Sequence, residues 1–272
     1  MKKKINFAIV GSNFGIRGYL PVIQKVPHFK IAVLCSKNIN KYNLKKTIKA
    51  ELLSDWKIIF KKKVDVIILA VPPKIQEKIL LYNLNFGKKI IIEKPISSNY
   101  QKSKKIVNLI KEKNIKIDLN LTFINHPIFI LLKKIIDKKK YGNVKNYNIK
   151  WNFVSHDYNR RIKTWKVQDK LGGGIRNIFL THVLSYCELM FGRNKLYDTK
   201  IRKDKFKGIN YINHIDTKIR SKKDICGRIL LNVKKSGNQS HEIKIKFTKC
   251  LIIVKNNSKD WSKNFIMKIN SK

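Results

Sequence analysis

Acidic residues, arginine, paired cysteines and long apolar runs are all scarce in this 272-residue chain, and each shortage excludes something. The four cysteines, Cys35, Cys187, Cys226 and Cys250, form no CxxC pair and no cluster with histidine, so neither a disulfide framework nor a zinc site is indicated. No stretch approaches the ~18 apolar residues that a membrane span requires. The N-terminal MKKKINFAIVG opens with cations, but its apolar run is too short for a secretory signal and ends in glycine. The expectation is a protein of the reduced cytoplasm with no membrane partner. Hydrophobic side chains make up 43% of the chain, enough to build one large domain or two modest ones.

The shortage of acid leaves 17 Asp and Glu against 61 Lys and Arg, a formal net charge of +44. Such a charge raises the question of nucleic acid. Three features argue against it. The excess is spread along the whole chain, it is carried by lysine rather than arginine, and it travels with abundant isoleucine and asparagine. Lys, Ile and Asn have the codons richest in A and T, so base composition accounts for the pattern. Bidentate recognition of phosphates and bases favours arginine, and no nucleic-acid partner is expected. The charge still attracts small anions over long range.

The first half alternates β-rich runs with amphipathic stretches, as a parallel sheet with crossover helices requires. Strand-like runs occupy 4–10, 30–35, 64–71, 88–93 and 116–121, with helix-like runs at 16–25, 41–53, 74–85 and 99–113. The second half predicts a helix at 127–139, a strand within 144–154 and a longer helix near 175–191. DICGRILLNVKK, HEIKIKFTK and CLIIVKN then read as strands of an antiparallel sheet. The expected fold is α/β: an N-terminal doubly wound Rossmann domain over 1–120, and an α+β domain with a mainly antiparallel sheet over 121–272, shortened at its C-terminus.

IIIEKPISSN places Glu93, Lys94 and Pro95 directly after a β-branched run, where a buried parallel strand would end. Ligands of open α/β sheets bind outside the carboxyl ends of the strands. A lysine there, restrained by the following proline, can aim a cation at a substrate oxygen. FAIVGSNFGIRGYLPVI has the strand, glycine turn and helix of a dinucleotide motif. Gly11 permits the tight turn and Gly15 lets backbone approach a pyrophosphate. Asn13, a residue tolerant of positive φ, stands at the usual second glycine, beside Phe14. The second strand ends in Cys35, Ser36, Lys37 and Asn38 with no carboxylate, so Ser36 and Lys37 suit a ribose 2′-phosphate. NADP is expected, with NAD possible. After the third strand, AVPP brings Pro72 over the cofactor crevice.

GSNFGIRGYLP, AVPP, EKP and LGGGIRNIFLTHVLSYCELMFG, in that order and spacing, resemble the Gfo/Idh/MocA family, which includes glucose–fructose oxidoreductase, inositol dehydrogenase and many sugar dehydrogenases. The resemblance implies an NAD(P)-dependent oxidoreductase that interconverts a hydroxyl and a ketone on a sugar, nucleotide sugar or polyol. It further implies that Lys94 sits by the nicotinamide and the substrate hydroxyl, that His182 exchanges the substrate proton, and that the second sheet makes a homo-oligomer. No metal is implied. Ile178 falls where the family has an aspartate one turn before the histidine. An isoleucine cannot orient an imidazole, so a catalytically impaired NADP-binding sensor or complex subunit stays open. Arg176 and Asn177 lie nearby, and Tyr186 shares the face of His182. Trp165 is the leading substrate contact, with Trp151, His156, Lys166, Asn120 and His126 as further candidates.

Overall fold

The computed structural model describes residues 3–39, 48–234 and 236–271, and the chain divides into two compact units, 1–120 and 121–272. In the first, six strands among the described residues form one parallel sheet: β1 (Ile5–Val10), β2 (Phe29–Cys35), β3 (Glu51–Leu53), β4 (Val66–Leu69), β5 (Lys89–Glu93) and β6 (Ile117–Asn120). Their spatial order is β3-β2-β1-β4-β5-β6, with the reversal of direction between β1 and β4. All strands run the same way, so their carboxyl ends share one edge. Successive residues feed opposite cores. Ala8, Val10, Ile67 and Leu69 pack on one face, while Phe7, Ile9, Val66 and Ile68 pack on the other. That two-sided burial is why these strands read as continuous apolar runs.

A π-helical turn (Gly15–Tyr19) runs into α1 (Leu20–Gln24), followed later by α2 (Pro73–Asn83) and α3 (Tyr100–Glu112). Pro73 opens α2 at the position where a missing N–H costs nothing. Asn99 caps α3, its side chain accepting from Lys102 N at 2.9 Å. One expectation fails here. Residues 51–53, read as helix, form β3, which pairs with Val33–Cys35, and 40–47 lie outside the described residues. Leu52 and Leu53 pack into the two opposite cores, as adjacent strand residues do. A three-residue strand is too short to show that alternation in sequence.

The second unit holds α4 (Pro127–Asp137), β7 (Val144–Val154), α5 (His156–Asn159) and α6 (Thr181–Phe191) before β8 (Asn194–Phe206) and β9 (Ile209–Ser221). It closes with β10 (Cys226–Lys234), β11 (Ser240–Phe247), β12 (Cys250–Asn256) and β13 (Ile266–Ser271). The sheet order is β13-β12-β11-β7-β10-β9-β8, antiparallel except for the β7–β10 pair. Tyr147, Ile149, Trp151 and Phe153 alternate inward from β7 onto a core shared with α4 and α6. The opposite face carries a polar ladder across five strands. Arg202 meets His214, His214 meets Asn232, Asn232 donates to Asn152, and Asn152 donates to Ser240.

Candidate active site

The carboxyl edge of the first sheet collects Gly11 after β1, Ser36 and Lys37 after β2, Ala70–Pro72 after β4, Lys94 after β5 and Asn120 at the end of β6. In this topology a ligand crevice forms at the reversal point, here between β1 and β4. Gly11 adopts φ 120°, and a Cβ on it would lie 2.1 Å from Ala70 O. Only glycine fits there. A Cβ on Gly15 would lie 2.8 Å from Ile9 Cγ2, so this glycine brings the turn down onto β1. Asn13 and Phe14 are exposed at the tip of the turn, and the Phe14 ring meets Tyr19 edge-on at 5.5 Å. Ser36 Oγ accepts from Asn38 N at 3.3 Å, and Lys37 is exposed beside it.

The Glu93–Pro95 turn is held from several sides. The buried Gln76 amide on α2 donates to Glu93 O at 2.8 Å, Pro95 O at 2.9 Å and Ile96 O at 3.1 Å, and its Oε1 accepts from Glu93 N at 3.1 Å. Glu93 Oε1 accepts from Tyr19 OH at 2.5 Å and from Asn120 Nδ2 at 2.8 Å. Burial, then the Glu93 carboxylate, raises the Tyr19 phenol well above its ordinary pKa, keeping it a donor. Lys94 thus stands between two anchored neighbours, and the Lys94–Pro95 peptide is cis. Tyr19 and Gln76 are functional neighbours that the sequence reading missed. Replacing Gln76 with leucine strands four partly buried backbone groups, with an expected loss of about 3 kcal/mol in urea unfolding; an unchanged midpoint would remove its anchoring role.

In the second unit a second π-helical turn (Arg176–Leu180) leads into α6. Such turns recur at functional sites. The glycine run before it is forced by close packing. A Cβ on Gly173 would lie 2.0 Å from Trp165 O, and one on Gly174 (φ 79°) would lie 1.6 Å from Asp169 Oδ1. Asp169 Oδ2 accepts from Arg176 Nη2 at 2.8 Å, and Asn177 Nδ2 donates to Gly173 O at 2.8 Å. His182 is buried on α6, its ring edge-on to Phe123 at 5.2 Å and tilted to Trp261 at 5.8 Å. Ile178 is half-buried one turn earlier.

Several candidates have other duties. Trp151, one of the further candidates, is fully buried and stacks on His241 with centroids 4.4 Å apart. Its inward place on β7 makes it a core residue. Tyr186 is buried too, and its hydroxyl meets His241 Nε2 at 3.0 Å. His126 caps α4, its Nδ1 accepting from Ile128 N at 3.3 Å, and burial lowers its pKa. His156 is exposed and faces Asp157 at 3.0 Å. Trp165 is half-buried and Lys166 exposed, in the loop that leads to the glycines. Among the described residues no group of His, Cys, Asp and Glu could hold a metal, and no helix is long and apolar enough to cross a membrane.

Residues 5–120 match the sequence model of the GFO_IDH_MocA oxidoreductase family, NAD-binding Rossmann fold. Levoglucosan dehydrogenase from Pseudarthrobacter phenanthrenivorans is 28% identical over 145 residues, 51% of this chain and 36% of that protein. The chain spans about a third to a half of the length of the curated relatives it matches. In three dimensions it resembles the WlbA dehydrogenase from Bordetella pertussis, solved with NADH and UDP-GlcNAcA. The TM-score is 0.86 at 15% identity, covering 99% of this chain and 78% of that one. It also resembles KijD10, a 3-ketoreductase from Actinomadura kijaniata solved with NADP, with TM-score 0.80 at 11% identity over 99% of this chain and 85% of that one. Residues 5–120 of this chain therefore match the Gfo/Idh/MocA oxidoreductase family at its NAD-binding Rossmann domain.

Proposed function

We propose that the protein is an NAD(P)-dependent oxidoreductase that interconverts a hydroxyl and a ketone on a sugar or polyol. The observation that carries this reading is the anchored Glu93–Lys94–Pro95 turn, on the same sheet edge as the glycine turn of β1. The group expected at that edge is a nicotinamide dinucleotide, and the residues fit it. Gly11 and Gly15 leave the backbone bare, and no carboxylate ends β2. Bound there, the dinucleotide would supply or accept the hydride. Solved proteins of the same fold hold NADH or NADP, and one of them holds a nucleotide sugar.

In this reading Lys94 polarises the reacting oxygen, its charge stabilising a developing alkoxide. His182 takes the alcohol proton, a task suited to a neutral imidazole. Ser36 and Lys37 receive the 2′-phosphate of NADP. Glu93 serves the cofactor indirectly, since its Oε1 already holds Tyr19 and Asn120. The first unit is the cofactor domain, and the second supplies substrate contacts, among them Trp165, and self-association through its sheet. The test is NADPH binding by fluorescence together with turnover on a panel of sugars. Ile178 favours a second reading, a dinucleotide-binding sensor without catalysis, which requires binding with no turnover on any sugar. For cofactor choice, Lys37→Glu should weaken NADPH binding by about tenfold, roughly one charge-assisted contact, and leave NADH unchanged. Equal effects on both would remove the 2′-phosphate assignment.

A further inference from the structure

The four tryptophans divide by burial. Trp151 lies in the core, Trp56 and Trp165 are half-buried, and Trp261 is 39% exposed. An indole carries one of the largest apolar payloads of any side chain, so holding over a third of it in water needs a restraint. Trp261 lies in the loop 257–265, between β12 and β13, and that loop is built from its own side chains. The buried Asn256 amide donates to Asp260 O at 2.9 Å and to Lys263 O, and its Oδ1 accepts from Ser258 N at 2.9 Å. Asp260 Oδ1 accepts from Ser262 N at 3.0 Å and from Ser262 Oγ at 2.8 Å. Trp261 is therefore pinned through its two chain neighbours, one on each side.

Other rings hold the indole from within the unit. Its centroid lies 5.6 Å from Phe123, 6.1 Å from Trp151 and 5.8 Å from His182, and it is tilted to each of them. These separations are ordinary for aromatic pairs. Phe123 comes from the turn 122–125, Trp151 from β7 and His182 from α6, so three elements of the second unit converge on one indole. Phe123 also meets His182 edge-on at 5.2 Å. Phe123, Trp151 and His182 are all buried, which leaves Trp261 as the member of this group that reaches solvent. An exposed aromatic face beside an imidazole has a use at a sugar site. Its π-cloud is negative, and one face of a sugar ring presents polarised C–H bonds while the hydroxyls point outward around the rim. A ring seated on the indole brings its rim toward the indole's neighbours, and of those three His182 is the one that can take a proton.

We propose that Trp261 is a substrate-contacting residue, its indole the platform on which the C–H face of the sugar ring stacks so that a rim hydroxyl meets His182. The assignment rests on the sugar-oxidoreductase reading and adds a residue that sets how the substrate lies. The built loop matters because a stacked ring keeps its orientation only if the platform does not turn.

Calorimetric and tryptophan-emission titrations of the full chain, with and without saturating NADPH, test this with methyl glucoside, levoglucosan, myo-inositol and sorbitol. None of the four carries a free carbonyl, so none turns over with reduced cofactor. At least one of the three ring compounds should bind and change the emission. Sorbitol, with hydroxyls but no ring, should bind about tenfold more weakly than that compound. Trp261→Leu should weaken the ring compound about tenfold, roughly one aromatic contact, and Trp261→Phe should recover most of that loss. The emission change should vanish in Trp261→Phe and persist in Trp56→Phe, whose indole packs on Phe60 and Tyr82 in the first unit. A merely structural indole would leave no sugar-dependent signal to lose. No binding of any ring compound, binding with no emission change, equal affinity for sorbitol, an emission change that survives Trp261→Phe, or unaltered affinity in Trp261→Leu would each overturn the platform. Turnover of NADP with the same compounds tests the redox reading separately. Ring binding through Trp261 with neither NADPH binding nor turnover would sink the redox reading and leave the platform standing; turnover unaffected by Trp261→Leu would sink only the platform.

Discussion

Replacing Lys94 with alanine should lower kcat by about 10²–10³-fold, the range seen when one preorganised donor to a developing oxyanion is removed. NADPH affinity should stay within about threefold. The separation comes from how the turn is held. Gln76 reaches the backbone oxygens of Glu93, Pro95 and Ile96, and Tyr19 and Asn120 reach the Glu93 carboxylate. None of these bonds uses the Lys94 side chain, so all of them persist when it is truncated. Lys94→Arg keeps the charge on a wider, planar head and should recover little of the loss. The measurement is steady-state cofactor absorbance with a sugar that supports turnover, beside NADPH fluorescence titration. Turnover equal to that of the unaltered protein would end the catalytic assignment of Lys94, and binding without turnover in both proteins would favour the sensor.

Acid should destabilise the second unit through His241. This imidazole is fully buried between Trp151 and Tyr186, and burial lowers its pKa from 6.5 to about 3. Among the described residues its Nδ1 has no hydrogen-bond partner, and neither has Trp151 Nε1. The sign depends on which state binds the proton. Above pH 6.5 both folded and unfolded forms are neutral and the histidine contributes no pH dependence. Between 6.5 and about 3 the unfolded chain takes a proton that the folded chain refuses, so stability falls with pH. At 1.36 kcal/mol per unit the loss is about 2 kcal/mol by pH 5 and about 5 kcal/mol by pH 3. His241→Leu leaves the Tyr186 hydroxyl without that partner, so it should cost about 1–3 kcal/mol at pH 7. It should also cut the loss between pH 7 and 5 by about 2 kcal/mol. Urea unfolding at the two pH values gives both numbers, and parallel pH slopes for the two proteins would exclude His241 as the source.

These two residues mark how much of the molecule is legible in its sequence. Lys94 announces itself because a strand, a lysine and a proline are contiguous, and because a parallel strand must deliver the next residues to the carboxyl edge. His241 gives no such signal. It occupies one inward position in an alternating strand, and alternation tells which face a residue takes but not which ring it meets. Trp151 shows the same limit: an aromatic on β7 is more often core than sugar platform, but the ring it meets is known only once the partner strand is known. The strand at 51–53 is hidden because three residues cannot display a period.

By itself the amino-acid order determined the doubly wound first domain, the glycine turn at 11–15, the lysine at the end of β5 and the change to an antiparallel sheet after residue 120. Each is written in neighbours along the chain, through side-chain period, turn chemistry and restricted backbone angles. Only the tertiary structure decided that Gln76 clamps residues 93–96, that Tyr19 and Asn120 converge on Glu93, and that Tyr186 serves His241 in the core. Those contacts join residues 17 to 74 positions apart. Strand order and helix placement bring them together, and both are properties of the folded backbone that no local run of residues encodes.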